Sequence, residues 1–473
     1  MNPLEISPEQ FCRLADRVTK LAVECLETLD HRPIAPGISG AETVRTFQAP
    51  MPELGMGEAA FDALPDVMRM SRAQNGRFFA YVLGSGEPVG ATADLLASVL
   101  NQNATAWRSG PAAMAIEQTV VGWLALAIGC ADFRGHLTGG GSSANLMGLA
   151  MARETKAAAN EKGIVANGVV YASEEVHMSI PKSVALLGIG RDNLRLIPTD
   201  DSFRMNADAL AQQMDRDQAA GKIPIAVVAS AGTVNTGAID PLRRIAEIAR
   251  AHNAWLHIDG AYGALAAIVV PGKFNGLDLA DSISLDPHKW LYQPLDCGCL
   301  LYRSQEAARK AFSHSGDYAR VLNSDPVEGF AFFEESLELS RRFRSLKLWL
   351  SLRYHGLAAF RESIKNDLEH AQRFAAAVQE NHHLELLAPV ELSAVCFRHR
   401  ALGGLSEEKL NEFNAAVLKR MVERGRVYLS SATLRGKSCL RVCIVNHRTK
   451  DEDIDSVFPE FAAALLEVAS GRT

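Results

Sequence analysis

Apolar side chains recur at Phe11, Leu14, Val18, Leu21, Cys25 and Leu29. That three-to-four spacing predicts a helix over residues 9–29 with one buried face. A connector rich in Pro and Gly follows over 31–52. From about residue 86 the pattern changes, with helical stretches near 90–102 and 112–129, then the polar run His136 to Asn145 and a helix over 146–159. Short apolar runs at 168–172, 223–229, 254–258, 282–285 and 298–302 read as strands, with helical segments between them. Strands alternating with helices predict an α/β fold with a mostly parallel, doubly wound sheet. A long helical run over about 344–379 leads into a smaller αβ unit, with strands near 384–388, 393–398, 426–429 and 439–445. The pattern divides the chain into an N-terminal helical arm (1–85), a large unit (86–360) and a small C-terminal unit (361–473).

Composition narrows the class. A chain of 473 residues is long for one core, which agrees with that division. A formal charge of -6 leaves no basic footprint for nucleic acid. The longest apolar stretch, Val120 to Cys130, is too short to span a bilayer. The start carries Glu5 and Glu9 where a secretory leader has basic and then apolar residues. Eight cysteines lie scattered, without the paired spacing of a zinc site. Reduced thiols, a cytoplasmic location and no bound metal are therefore expected.

Candidate chemistry gathers where predicted strands end. Ser282-Ile283-Ser284-Leu285 runs into Asp286-Pro287-His288-Lys289-Trp290. A lysine just past a buried strand is either a surface residue or an amine set apart for use; desolvation favours its neutral, nucleophilic form. Gly139-Gly140-Gly141 leads into a helix start with Ser142 and Ser143. Free amides and hydroxyls there suit a phosphate, although a glycine turn with a serine cap has the same look. The strand Ala254 to Ile258 ends in Asp259-Gly260-Ala261. A carboxylate at that point needs a cation or donors, or else caps the next helix. His177, after the strand at 168–172, is a flat ring able to stack or to move a proton, or a structural histidine. Thr233 follows the strand at 223–229 and offers a hydroxyl. An anion cradle, a planar stacker, a carboxylate and a lysine are the four groups pyridoxal 5'-phosphate asks for.

With these residues in view the chain resembles the pyridoxal-phosphate-dependent group II amino-acid decarboxylases, which include the aromatic-L-amino-acid, histidine and glutamate decarboxylases. Ser282-Ile283, then Lys289-Trp290-Leu291 and onward through Asp296-Cys297 to Arg303, follows that family's lysine signature. The likeness extends from about residue 65 to the end, and the N-terminal helix resembles the family's exchanged dimer arm more loosely. The resemblance implies the type I fold of such enzymes, with a seven-stranded sheet, an N-terminal arm and a small C-terminal domain. It implies a homodimer with sites near the interface. It also implies that Lys289 binds the cofactor aldehyde, His177 stacks on the ring, Asp259 pairs with the ring nitrogen and Ala261 lines the other face. Gly141, Ser142 and His288 hold the phosphate in this reading, Thr233 lies near cofactor and substrate, and Arg441 meets the substrate carboxylate.

The implied reaction is decarboxylation of an L-amino acid to the amine, and Arg341 to Trp349 resembles the aromatic branch. Asn103 and Trp107 fall where the family lines its side-chain pocket, and Asn103 resembles the glutamate branch, which leaves an acidic or diamino substrate as an alternative. The family carries a loop tyrosine shortly before Arg341. Counting back puts Phe332 in that slot, and Tyr318 serves only if the loop is shifted. A phenylalanine there is associated with oxidative deamination to an aldehyde, the second alternative.

Overall fold

The computed structural model describes residues 2–163, 167–314, 325, 327–400 and 404–471. Its centre is a seven-stranded sheet made of β1 (Arg134–Thr138), β2 (Gly168–Ser173), β3 (Leu194–Ile197), β4 (Ile223–Ser230), β5 (Trp255–Asp259), β6 (Ser282–Leu285) and β7 (Gly298–Tyr302). The order is β1-β7-β6-β5-β4-β2-β3, and β7 alone runs against its neighbours. The expected α/β class and mostly parallel seven-stranded sheet are therefore present. Every residue of β2, β5, β6 and β7 is buried, because helices cover both faces. Strands in that position read as unbroken apolar runs, which is why they are visible in the sequence. The two strands that pattern reading passes over, β1 and β3, are the edges of the sheet. An edge strand is covered on fewer sides, so β1 keeps Arg134 exposed and β3 leaves Leu196 57% exposed.

The glycine helix begins at Gly141, five residues earlier than its apolar pattern suggests, and runs to Ala157. The long helical run, Ser345–Glu380, breaks at Gly356, where φ is +74°. Glycine takes that left-handed conformation without the clash a Cβ brings. The second half packs on an antiparallel sheet of β8 (Leu384–Leu386), β9 (Ala394–His399), β10 (Ser430–Leu434) and β11 (Lys437–Cys443), in the order β10-β11-β9-β8. The strand expected at 426–429 starts instead at Ser430. Gly425 ends the preceding helix at φ +68°, and the next residues pair with the N-terminal segment: Phe79 N donates to Tyr428 O at 2.8 Å.

The helix Pro8–Thr28 forms with a Ser7–Gln10 capping box, yet none of its residues is buried in the single chain. Phe11, Val18, Val23 and Leu26 stand 43–47% exposed. The expected face is covered in part: Leu14, Leu21 and Cys25 are half-buried and Leu29, just past the helix, is buried, while Phe11 and Val18 stay exposed. Arg13 and Arg17 tie the helix to Glu58 and Asp62 within the same arm.

Beside β1 sits a buried ion pair. Arg341 and Glu117 have side chains 1% and 0% exposed, and Arg341 Nη2 donates to Glu117 Oε1. The same guanidinium donates to Leu137 O at 2.8 Å and to Ala104 O at 2.6 Å, while Glu117 Oε1 accepts from Leu137 N. Removing Glu117 leaves the buried Arg341 charge with only the more distant Glu338, 3.9 Å from Nε, to offset it. Glu117→Ala is expected to destabilise the chain by about 3–5 kcal/mol, read as a fall in the urea midpoint; a midpoint unchanged from wild type would contradict this account.

Candidate cofactor and active site

Because β1, β2, β4, β5 and β6 run in one direction, their carboxyl ends share one edge of the sheet. Ligands in such sheets sit beyond that edge. A cleft of about 480 Å³ opens there, walled by Gly139 to Ser143, His177, Asp259, Ala261, His288, Lys289 and Arg441. The floor is the first turn of the glycine helix. Its cap residue Gly140 has φ +140° and no side-chain cap, so the leading amides have no protein acceptor from a side chain. The spacing is tight: a Cβ on Gly141 would meet Ala261 Cβ at 2.6 Å and Asp286 Oδ2 at 3.0 Å. Only glycine leaves room for a group to rest on those amides.

Lys289 leaves the turn after β6 with its side chain 20% exposed, and Nζ lies 2.9 Å from Asp286 Oδ2. His288 donates from Nδ1 to Cys297 O at 2.8 Å, which directs Nε2 toward Asp286 at 3.6 Å. Burial lowers its pKa, partly offset by Asp286. The other Asp286 oxygen, Oδ1, is buried with no hydrogen-bond partner.

Asp259 is held by four donors. Oδ1 accepts from Ser284 Oγ at 3.1 Å and Ala261 N at 3.2 Å, and Oδ2 accepts from Asn145 Nδ2 at 2.9 Å; the residue lines the cleft. Its backbone O accepts from Ala231 N. Asn145 is the hub of this network. Its amide also donates to Ser179 Oγ at 2.9 Å, and its carbonyl accepts from His257 Nε2 at 2.9 Å. Those contacts fix His257 as the Nε2–H tautomer, so Nδ1 accepts from Ser282 Oγ at 2.8 Å, and Ser282 in turn accepts from Trp255 Nε1. Ser179 N and its hydroxyl both reach His177 Nδ1, which leaves Nε2 as the His177 donor. Burial lowers the His177 pKa and favours the neutral ring.

Arg441, 4% exposed on β11, donates from Nε to Ser430 Oγ at 3.0 Å and from Nη1 to Val234 O. Two hydrogen bonds aim it, and Nη2 makes none to the described residues. Other sequence candidates do not line the cleft. Thr233 is 2% exposed, with its hydroxyl shared between Thr236 Oγ1 and Ala238 N; Gly232 and Val234 border the cleft instead. Asn103 Oδ1 accepts from Arg341 N at 2.8 Å, and half-buried Trp107 opens a short helical turn. Phe332 corrects the reading that puts it in a mobile loop facing the site. It is fully buried, packs under Arg341 at 4.4 Å and beside His136 and Phe330, and its N–H donates to Thr105 O. Tyr318 lies outside the described residues. Asn145, His257, Ser284 and Asp286 escape sequence reading, although for His257 and Ser284 a polar residue inside an otherwise apolar buried strand was the available signal.

The "Pyridoxal-dependent decarboxylase conserved domain" model matches residues 66–400, more than half the chain. The chain belongs to that family. Among its relatives is the aromatic-L-amino-acid decarboxylase of Bacillus atrophaeus, 34% identical over 98% of each chain. The phenylacetaldehyde synthase of Petunia hybrida is 30% identical over 93% of this chain and 91% of its own. Oryza sativa TDC, solved with PLP and tryptamine, superposes with a TM-score of 0.92 over 99% of both chains at 25% identity. This pyridoxal-dependent decarboxylase is thus a carboxy-lyase that uses pyridoxal phosphate. The cleft fits that group: a lysine amine, a helix start too tight for any side chain, and a carboxyl held by donors in its wall. Among the described residues no cluster suited to a metal ion occurs, and no helix is long and apolar enough to cross a membrane.

The buried histidine supplies a pH prediction. Burial lowers the His257 pKa from 6.5 to about 4. Between those values the unfolded chain binds a proton there that the folded chain does not, so this residue's share of stability rises with pH and is lost on acidification. The gain in urea midpoint from pH 5 to pH 7 is expected to be smaller in His257→Gln than in wild type; an equal gain would show that His257 already carries its proton when folded.

Proposed function

We propose that this enzyme removes CO2 from an aromatic L-amino acid and releases the amine. The observation that carries the reading is the convergence of Lys289, Asp259, His177, Arg441 and the open glycine helix on one cleft. The relatives' names support the aromatic class, since Bacillus atrophaeus aromatic-L-amino-acid decarboxylase and an Oryza sativa tryptophan decarboxylase are among them.

Bound pyridoxal phosphate supplies an aldehyde that captures the substrate amine and a ring that takes up the electron pair left when CO2 departs. In this proposal Lys289 is the amine that anchors the aldehyde and takes it back after turnover. Gly141 and Ser142 receive the phosphate at the helix start, with His288 beside it. Asp259 accepts a hydrogen bond from the ring nitrogen, and the donors from Ser284, Ala261 and Asn145 keep that oxygen aimed. Neutral His177 would stack on the cofactor ring, and Ala261 would border its other face. Arg441 meets the substrate carboxylate through the nitrogen its protein partners leave free. Val82, Val234 and Leu295 add apolar wall, and a dry pocket favours loss of a charged carboxylate.

The division at residues 85 and 360 and the homodimer are parts of this proposal. The exposed apolar side chains Phe11, Val18 and Leu26 support a second copy as the cover of this helix, in the manner of an exchanged arm. Asn103 and Trp107, away from their own cleft, are left to serve the partner's site. A cytoplasmic location also remains a proposal.

The aldehyde-forming alternative loses Phe332 as its support and keeps the Petunia hybrida phenylacetaldehyde synthase and the Rhodiola rosea 4-hydroxyphenylacetaldehyde synthase, whose solved structure is 26% identical. Nothing in the cleft favours an acidic or diamino substrate. Three measurements test the reading. Incubation with a panel of amino acids is expected to give CO2 and an aromatic amine; aldehyde with ammonia and peroxide would overturn it. Borohydride reduction is expected to fix the cofactor on wild type but not on Lys289→Ala, and equal labelling would remove Lys289 from its role. Sedimentation is expected to give a dimer that Phe11→Asp with Val18→Asp weakens; an active monomer would refute the exchanged arm.

A further inference from the structure

We propose that Asp367 is a positioning residue for Lys289, a clasp on the turn that aims the lysine. The inference rests on the proposed role of Lys289 but concerns a different part of the protein, the second half of the long helix.

The turn itself calls for a clasp. Leu291 and Tyr292, the second and third residues after the lysine, both take left-handed backbone, with φ of +114° and +52°. Neither is glycine, so each holds a conformation its Cβ disfavours, and such residues persist only where surrounding contacts impose it. Trp290, Leu291 and Tyr292 are all at most 1% exposed. Backbone bonds fix part of the turn: Tyr292 N donates to Lys289 O at 3.0 Å, and Glu87 N donates to Tyr292 O at 2.7 Å. The side chains are fixed by one atom. Asp367 Oδ2 accepts from Trp290 Nε1 at 3.0 Å and from Tyr292 Oη at 2.8 Å. The aromatic residues on either side of Leu291 are thus pinned to a single oxygen.

Asp367 has no other evident reason to be a carboxyl group. It is 1% exposed, and no ion pair to it occurs among the described residues. Its other oxygen is met only by Asn446 N, at 3.5 Å. Burial pushes its pKa up to about 7, opposed by the Tyr292, Trp290 and Asn446 hydrogen bonds. A buried carboxyl without a cation is costly, and an apolar residue would fill the space at less cost unless its acceptor is needed. What the acceptor holds is the segment following Lys289. Asn446 follows β11, the strand of Arg441, so the clasp also joins the lysine turn to the small sheet.

The experiment compares Asp367→Asn and Asp367→Leu holoenzymes, each with and without Leu291→Gly, after far-UV circular dichroism has shown them folded. Glycine accepts the left-handed backbone, so Leu291→Gly lowers the strain that the clasp opposes. Asp367→Leu strands two buried donors and is expected to speed cofactor release on dilution about tenfold and to lower kcat with little change in KM. Asp367→Asn keeps one acceptor and is expected to fall between. Leu291→Gly is expected to recover most of the loss in the Asp367→Leu background. Release and kcat within twofold of wild type in folded Asp367→Asn and Asp367→Leu would overturn the clasp. So would a loss that Leu291→Gly leaves untouched, since that is packing damage alone. Borohydride labelling of Lys289→Ala tests the lysine separately, so failure of the one reading is distinguishable from failure of the other.

Discussion

Strands that run in the same direction must all release the chain at the same edge of a sheet. Here β1, β2, β4, β5 and β6 do so, and that edge receives the glycine turn, His177, the 232–234 loop, Asp259 and Lys289. Residues up to 150 positions apart become neighbours without any local contact to draw them together. The remainder of the chain supports this edge. The glycine helix closes its floor, the small sheet brings Arg441 to its rim, and the long helix braces the lysine turn from behind.

Holding charged and polar groups at such an edge creates a debt of buried donors and acceptors, and the protein meets it with a connected network. Trp255, Ser282, His257, Asn145, Ser179 and His177 form one run of hydrogen bonds, and Asn145 branches it to Asp259. Each contact settles the direction of the next, so the orientation of Asp259 and the tautomer of His177 follow from a single asparagine. Such networks specify one arrangement because a half-made one leaves polar atoms stranded in a low dielectric. Asp286 Oδ1 is one of the buried atoms without a partner among the described residues, and it lies beside the glycine turn.

Other surfaces remain unsatisfied in the single chain. The arm helix has a capping box and a regular apolar stripe yet none of its residues is buried, and Leu95, Leu96, Val99 and Leu126 are also about half exposed or more. Exposure on this scale marks a surface that works against another one.

The sequence alone determined which chemistry-bearing residues follow the strand ends. Lys289, Asp259 and His177 are legible because a fully covered parallel strand is an apolar run, and the first polar residues after it mark the ligand edge; Gly141 is legible from its glycine run instead. The buried strands are legible for the same reason, whereas β1 and β3 are not, since edge strands lack the double cover that makes the run continuous. Direction and partnership were decided only in three dimensions. Counting back from Arg341 places Phe332 at a loop position, but a pairing between Ala331 and Ala106 turns its ring into the core under that arginine. Thr233 sits at a strand end as expected, and its hydroxyl is consumed within its own turn. Asn145, Asp286 and Asp367 act through residues far away in the chain, and spacing along a sequence says how far apart two residues are but not which way their side chains point.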